Sequence, residues 1–122
     1  MLNEKIIRDY CADLKGSEET FPFGEVPLVF KVMGKMYGLM PINIADNEAQ
    51  TISLKCDPTL AQILRQTYPG VQPGYHLNKQ HWNTITIDGT IPDDEIKEMI
   101  DNSYALVVKG LKKADREALK KS

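Results

Sequence analysis

Apolar residues recur at three- and four-residue spacing near the start of the chain, a pattern typical of a helix that buries one face. Asn3 is a suitable N-cap and Gly16 a suitable stop, so the spacing predicts a first helix between these two residues. The buried stripe of this helix consists of Ile6, Ile7, Tyr10, Cys11 and Leu14.

Three further helices are predicted by their start and stop residues. Asp57-Pro58 can cap and open a second helix, which is expected to end near Tyr68-Pro69-Gly70. The acidic run after Pro92 suits the positive end of a third helix, which Gly110 closes. Residues 112–121 predict a short, frayed fourth helix.

A two-residue alternation of apolar side chains predicts strands in the remaining segments. The first strand, over residues 26–32, contains Pro27, which suggests that it lies at a sheet edge or begins late. Gly34-Lys35 is a glycine-first pair suited to a type II′ turn, after which residues 36–42 return as the second strand. A third strand is predicted over residues 51–55 and a fourth over residues 83–87.

The predicted elements follow the order helix, three strands, helix, irregular segment, strand and helix. Strands joined by short turns are antiparallel, and helices in such an order cover one face of the sheet. The pattern therefore predicts a two-layer α+β fold. Because 122 residues suit one domain better than two, we expect a single domain over residues 1–122.

Composition and charge narrow the classes of function. A hydrophobic content of 42% and a charged content of 26% are ordinary for a globular protein, and the net charge of −2 gives no overall attraction to nucleic acid or acidic lipid. No segment approaches the ~20 apolar residues of a membrane span, so we expect no membrane partner. The chain starts without an apolar leader, and Cys11 and Cys56 form no CxxC pair. Both features favour a reduced, cytoplasmic protein.

Candidate chemistry concentrates in the segment 73–85, which holds the only tryptophan, both histidines, a lysine and two asparagines. A lysine and an aromatic ring can act together on single-stranded or distorted nucleic acid, because the cation contacts phosphate while the ring stacks on a base. Asparagine side chains can donate to phosphate or to base edges. Arg65 and Lys55 can extend such a surface at its margin.

The same residues also have structural interpretations, which stay open from the sequence. Trp82 stands at the head of a predicted strand, where a core anchor is as good an interpretation as a stacking platform. The two histidines can satisfy buried carbonyl groups, and Asn78 can cap a turn.

Metal binding and catalysis have weaker support. His76 and His81 are five residues apart, with Cys56 and Asp57 as the other candidate ligands, but a metal site needs three or four ligands that converge. No glycine-rich phosphate loop opens a helix, and Ser103 and Tyr104 are interpreted as packing or helix-surface residues of the third helix. We therefore expect no metal, no cofactor and no enzymatic activity.

Short motifs occur in a specific order along nearly the whole chain: Phe21-Pro22-Phe23-Gly24, Val29-Phe30-Lys31-Val32, Gly34-Lys35-Met36, Leu54-Lys55-Cys56-Asp57-Pro58, Tyr68-Pro69-Gly70, Pro73-Gly74-Tyr75-His76-Leu77-Asn78-Lys79, His81-Trp82-Asn83-Thr84, Asp88-Gly89, Pro92-Asp93-Asp94 and Ser103-Tyr104. In this order they resemble the MmcQ/YjbR family of small bacterial proteins. The resemblance implies a CyaY-like (frataxin-like) α+β fold and, by the naming of the family, DNA binding through a double-wing arrangement. Gln80 departs from the pattern, because a basic residue is expected there, and this removes one candidate phosphate contact.

The residues and the resemblance together predict a non-enzymatic binding protein, in the first place a weak DNA-binding protein. The alternative, from a different class, is a protein-interaction or small-anion-binding module that uses the same surface. In either case the predicted contact residues are Lys55, Arg65, Tyr75, His76, Asn78, Lys79, His81, Trp82 and Asn83.

Overall fold

All four helices pack on one face of a six-stranded antiparallel sheet in the computed structural model, which describes residues 1–122. The helices are α1 Glu4–Ala12, α2 Pro58–Thr67, α3 Asp93–Lys109 and α4 Lys113–Lys121. The strands are β1 Ser17–Thr20, β2 Leu28–Val32, β3 Lys35–Met40, β4 Gln50–Lys55, β5 Val71–Pro73 and β6 Trp82–Ile87, in the spatial order β1-β2-β3-β4-β6-β5. The predicted two-layer α+β fold is confirmed. None of the helices combines the length and the apolar character needed to cross a bilayer.

One continuous hydrophobic cluster of 20 buried residues lies between the sheet and the helices. The strands reach it through alternate positions, so that Leu28, Phe30 and Val32 of β2 all point to the helical side. Every helix contributes to the cluster or packs against it. The face of the sheet that carries the helices is therefore the closed face.

The predicted helix starts at Asn3 and Asp57 are confirmed. The Asn3 side-chain oxygen accepts from the Ile6 N–H at 2.9 Å, and one Asp57 carboxylate oxygen accepts from Thr59 N–H and Leu60 N–H, both at 3.1 Å. Each cap satisfies N–H groups that the first helical turn leaves without a partner.

The predicted type II′ turn at Gly34-Lys35 is wrong by one residue. Val32 pairs with Lys35, so the two loop residues are Met33 and Gly34, and both have positive φ (49° and 77°). Two positive φ values define a type I′ turn, whose twist matches that of the flanking strands. A methionine in the left-handed region is unusual, which is why the glycine-first pair misled the prediction.

Two strands were not predicted from the sequence. β1 is a polar edge strand that pairs with β2, and β5 is a three-residue edge strand that pairs with β6. Because β1 pairs with β2, the first predicted strand lies inside the sheet and not at its edge. It starts late, as the other interpretation of Pro27 predicted, at Leu28 directly after the proline.

The last helix is anchored at its end, contrary to the prediction that it frays. Leu119 on α4 is buried in the core cluster and lies against Gly16, where a Cβ atom would come within 2.5 Å of the leucine side chain. The buried leucine fixes α4 across the end of α1.

Candidate binding site on the open face of the sheet

The face of the sheet opposite the helices carries a row of uncharged side chains. Strand pairing places one residue of each strand in register across the sheet, and their side chains lie in a row. The residues of this row on β2 and β3 are apolar, and those on β4 and β6 carry hydroxyl groups. In spatial order the row is Thr20, Val29, Leu39, Ser53, Thr84 and Gln72. The Ser53 and Thr84 hydroxyl groups are hydrogen-bonded at 2.8 Å. We call this side the open face.

Two loops fold onto the open face from opposite ends of the sheet. The loop 21–27 arrives where β2 begins, and the loop 74–81 arrives where β6 begins. Between them lies a groove of about 700 Å³, which we call the open-face groove. Its floor is formed by the strands, and its lining comprises Phe23, Val26, Pro27, Leu39, Met40, Pro41, Thr51, Ser53, Tyr75, His76, Leu77 and Thr84.

Tyr75 and His76 bring exposed rings to the rim of this groove. The Tyr75 side chain is 72% exposed, its ring centroid lies 4.0 Å from that of His76, and its backbone N–H donates to the Thr84 hydroxyl at 3.1 Å. His76 has a φ of 60°, a conformation that histidine adopts more readily than most residues but still at a cost. The left-handed backbone at His76 therefore accompanies a loop that presents both rings side by side.

Arg65 holds this loop in place. Its guanidinium donates to the Asn83 side-chain oxygen at 2.7 Å, to the Trp82 carbonyl at 3.2 Å and to the Lys79 carbonyl. All three acceptors belong to the loop end or to the start of β6. These bonds use Nε and Nη2, which gives Arg65 a structural role in the loop, and its role as a contact residue stays a prediction.

Lys79 and Gly74 close the loop from within. The Lys79 ammonium group donates to the Gly74 carbonyl at 3.0 Å, and the Gly74 N–H donates to the Trp82 carbonyl at 2.8 Å. A Cβ atom on Gly74 would lie 2.7 Å from the Trp82 Cβ, so only glycine allows this close approach. The Lys79 residue is nevertheless exposed to solvent.

Trp82 and Asn83 do not project outward, which corrects their prediction as contact residues. Trp82 is 8% exposed beneath Gly74, and Asn83 is 2% exposed on the helical side with its oxygen bound to Arg65. A ring so covered cannot stack on a base. The role of core anchor, which the sequence left open for Trp82, is the one the structure has.

The remaining predicted residues lie away from the groove. Asn78 is exposed, and its side-chain oxygen accepts from the Gln80 N–H at 2.9 Å, as expected of a turn cap. His81 is exposed, and its carbonyl accepts from the Cys56 N–H at 2.8 Å, which continues the β4–β6 ladder by one residue.

Lys55 lies at the end of the sheet where β3 begins and β4 ends. There it lines a depression of about 370 Å³ together with Lys35, the edge of Trp82 and residues of the α3 C-terminus. We call this feature the lysine depression. The structure thus divides the predicted contact residues between the groove, the lysine depression, the exposed outer part of the loop 74–81 and the interior.

Cys56 borders a small cavity between α2, α3 and the sheet. The cavity has a volume of about 20 Å³, and the Asn83 side-chain nitrogen, which also lines it, is buried without a hydrogen-bond partner. Burial raises the pKa of the Cys56 thiol, the Asp57 charge adds to this, and Arg65 opposes it. The thiol is therefore held in its protonated, unreactive form.

No group of three or more histidine, cysteine, aspartate or glutamate side chains is arranged to hold a metal ion. Ser103 is fully buried, accepts from the Lys55 N–H at 2.9 Å and donates to the Tyr37 carbonyl. Its hydroxyl is committed to joining α3 to the sheet, as the packing interpretation predicted.

Sequence reasoning missed the residues on the other side of the groove. Phe23 and Val26 are 69% and 50% exposed, although both are apolar, and Ser53 and Thr84 supply hydroxyl groups to the floor. For Phe23 and Val26, the pattern that could have identified them is an apolar, aromatic-containing segment that is rich in turn residues and has no helix or strand periodicity. For the floor it was the alternation of Thr51 and Ser53 with the core residues of β4.

Comparison with known proteins gives a consistent family match. The YjbR family model matches residues 12–106. The Escherichia coli K12 protein named "Uncharacterized protein YjbR" is 34% identical over 110 residues, which cover 90% of this chain and 91% of that protein. The Bacillus subtilis protein YyaQ is 29% identical over 87% of this chain and 98% of its own length.

Solved structures match the fold as well. The crystal structure of Deinococcus radiodurans protein DR2400 superimposes with a TM-score of 0.88 at 44% identity, over 98% of this chain and 89% of that one. A crystal structure of a Pseudomonas syringae protein matches with a TM-score of 0.73 at 28% identity, over 86% of this chain and 98% of that one.

Proposed function

The chain belongs to the YjbR family, and from that premise we propose that it is a non-enzymatic binding protein that binds single-stranded DNA weakly through the open-face groove. In this proposal the loops 21–27 and 74–81 act as the two wings. A base enters between them and rests on the uncharged floor formed by β3, β4 and β6.

The exposed Tyr75 ring is the observation that carries the proposal. A tyrosine that is 72% exposed beside a groove has no packing role that explains it, and stacking of a base on such a ring contributes ~1–3 kcal/mol. The groove volume of about 700 Å³ is within the range typical of sites for small organic molecules. Of the two predicted contact residues with rings able to stack, Trp82 and Tyr75, the proposal therefore uses Tyr75, because Trp82 is buried.

The floor of the groove offers hydrogen-bonding groups that carry no charge. The Ser53 and Thr84 hydroxyl groups can each donate and accept, so they suit the mixed donors and acceptors on the edges of bases. His76 is the only basic residue that lines the groove. Because the net charge is −2, we expect weak binding of single strands and still weaker binding of duplexes.

Fluorescence anisotropy with labelled single- and double-stranded DNA at about 50 and about 200 mM salt tests the proposal. We expect saturable binding of the single strand at the lower salt concentration and, because no lysine or arginine lines the groove, little loss of affinity at the higher one. A flat titration with the single strand at low salt would contradict the proposal.

The Tyr75→Ala variant tests the role of the ring. Removing one stacking platform should weaken single-strand binding by roughly 5- to 150-fold, the equivalent of ~1–3 kcal/mol. Tyr75→Phe is the matched control, because it keeps the ring and should keep most of the affinity. Equal losses in both variants would assign the effect to the hydroxyl group and not to stacking.

A second candidate function, the binding of an apolar protein segment, is favoured by the other rim of the groove. Phe23 and Val26 are exposed apolar side chains, and no lysine or arginine lines the groove. Such a partner would bind with little dependence on salt. A thermal-stability screen against oligonucleotides, nucleotides and apolar peptides separates the two, because only a bound ligand raises the melting temperature.

A further inference from the structure

The hydroxyl groups of Ser53 and Thr84 form a pair on the floor of the open-face groove. Their oxygen atoms lie 2.8 Å apart and share one hydrogen bond, in which either oxygen can be the donor. The Thr84 oxygen also accepts from the Tyr75 N–H at 3.1 Å. Both side chains line the groove, so a ligand there meets the hydrogen-bonding capacity that the pair leaves unused.

The pair leaves one hydrogen and two lone pairs unused, whichever oxygen donates, since a hydroxyl group has one hydrogen and two lone pairs. When Ser53 donates to Thr84, both lone pairs of Thr84 are occupied, so the Thr84 hydrogen is free and Ser53 keeps two lone pairs. When Thr84 donates to Ser53, the Ser53 hydrogen is free and each oxygen keeps one lone pair. In both arrangements a free hydrogen lies beside a free lone pair on the neighbouring oxygen.

This unused capacity suits some chemical groups better than others. A ligand edge on which an acceptor atom lies beside a donor N–H uses the free hydrogen and the neighbouring lone pair together. An edge of two acceptors, as in a carboxylate or a phosphate, finds only one hydrogen. No lysine or arginine lines the groove to compensate the charge of such a group. The floor therefore favours a neutral edge over an anionic one.

We propose that the Ser53–Thr84 pair recognises the acceptor–donor edge of an unpaired nucleobase, such as the neighbouring C=O and N–H of thymine, while the Tyr75 ring stacks on the face of the base. This inference rests on the proposed function and adds the part of the base that is recognised. Every common base has an acceptor beside a donor on its Watson–Crick edge, which is free only in an unpaired strand. Because the two oxygens can exchange roles, the pair selects single strands without selecting a sequence.

The difluorotoluene isostere of thymine separates recognition of the edge from stacking. It has the shape of thymine but lacks the N–H and the carbonyl groups. The affinities of a short oligothymidylate and of the same strand with difluorotoluene in place of thymine are measured by fluorescence anisotropy with the full chain at low salt. The quantity compared between protein variants is the affinity ratio of the two strands, thymine over difluorotoluene.

Ser53→Ala should lower this ratio by roughly 2- to 12-fold, the equivalent of one net hydrogen bond of ~0.5–1.5 kcal/mol. In this variant the Thr84 hydroxyl is alone and no longer bonds to two neighbouring atoms of the edge. The difluorotoluene strand should keep its affinity, which shows that the groove is intact. Thr51→Val is the matched control, because Thr51 lines the groove outside the hydroxyl pair, and it should leave the ratio unchanged.

Each other outcome has a definite meaning. If both strands bind and the ratio is the same in the parent protein and in Ser53→Ala, recognition of the edge is refuted while the proposed function stands. If the ratio falls equally in Ser53→Ala and Thr51→Val, the assignment to the hydroxyl pair is refuted. If neither strand binds the parent protein at low salt, the proposed function fails together with this inference.

Discussion

The two faces of the sheet are built from the same strands but differ in almost every property. The closed face holds the 20-residue core cluster under four helices, whereas the open face holds a row of uncharged side chains under two loops. On β4 the change occurs between consecutive residues, because Ile52 is fully buried in the core and Ser53 lines the groove.

This difference separates stability from recognition. Burial of apolar area is the main source of folding free energy, and here it lies on the closed face. The open face leaves Phe23, Val26 and Tyr75 exposed, side chains that would stabilise the protein more if they were covered. An uncovered apolar rim of this kind is the feature that supports the proposed binding function of the groove.

The largest contrast between the faces is expected from neighbouring substitutions on β4. Ile52→Ala should lower the free energy of unfolding by about 2–5 kcal/mol, since it leaves a cavity in the core. Thr51→Val, on the open face, keeps the shape of the side chain and should change it by less than about 0.5 kcal/mol. Urea denaturation measures both values. Comparable losses in the two variants would mean that the open face is also part of the core.

Alkaline pH should lower the free energy of unfolding through two titratable groups that are buried on the closed face. Burial raises the pKa of Cys11 from 9.0 to about 12, and burial also raises the pKa of Tyr37 well above its usual value. Below about pH 9 both groups are protonated in the folded and unfolded states, and their stabilising contribution is complete. Above the unfolded pKa of each group, 9.0 for the cysteine and 10.0 for the tyrosine, the unfolded chain releases the proton first, so stability falls by about 1.4 kcal/mol per pH unit until the folded pKa is reached.

Denaturation under reducing conditions at pH 8 and pH 10 measures this slope. The Cys11→Ala variant is the control, because it removes one of the titrating groups and should give a shallower dependence on pH. A stability that does not change between the two pH values would contradict the burial of these groups.

The closed face could be predicted from the sequence and the open face could not, for a physical reason. Core positions repeat with the period of their element, so the stripe from Ile7 to Cys11 and the alternation of Leu28, Phe30 and Val32 were sufficient to place helices and strands. The polar edge strand β1 and the three-residue strand β5 carry too few apolar side chains to form a pattern.

The proposed binding site depends on which side chains a loop leaves free, and that is decided by tertiary contacts. The sequence located the segment 73–85 but could not tell that Arg65 is bound to main-chain carbonyls or that Trp82 lies beneath Gly74. It also could not bring Phe23 across the sheet to face Tyr75, because the two are 52 positions apart and meet only through the register of the strands.

A substitution at Gly74 tests whether the loop 74–81 depends on its close contact with the sheet. In Gly74→Ala the new Cβ atom would lie 2.7 Å from the Trp82 Cβ and 3.1 Å from its carbonyl oxygen, and neither atom belongs to a flexible side-chain end. We expect a loss of about 1–3 kcal/mol in unfolding free energy, the usual range for overpacking. Gly110→Ala is the control, because its Cβ would meet its nearest neighbour at 3.6 Å, an ordinary contact. If both variants are equally stable, the loop has room to move away from Trp82.

A small effect on stability that is specific to the loop 74–81 is expected at His76. Its φ of 60° costs an L-residue about 1–2 kcal/mol, and glycine avoids this cost but loses about 0.4–1 kcal/mol through the greater freedom of its unfolded chain. His76→Gly should therefore be about 0 to 1.6 kcal/mol more stable than the parent protein. His76→Ala retains the Cβ atom and should be the less stable of the two, although both lack the imidazole ring and should lose the same affinity for single-stranded DNA. Urea denaturation and anisotropy of the same samples measure the two quantities, and an alanine variant more stable than the glycine variant would show that the loop does not hold residue 76 in the left-handed conformation.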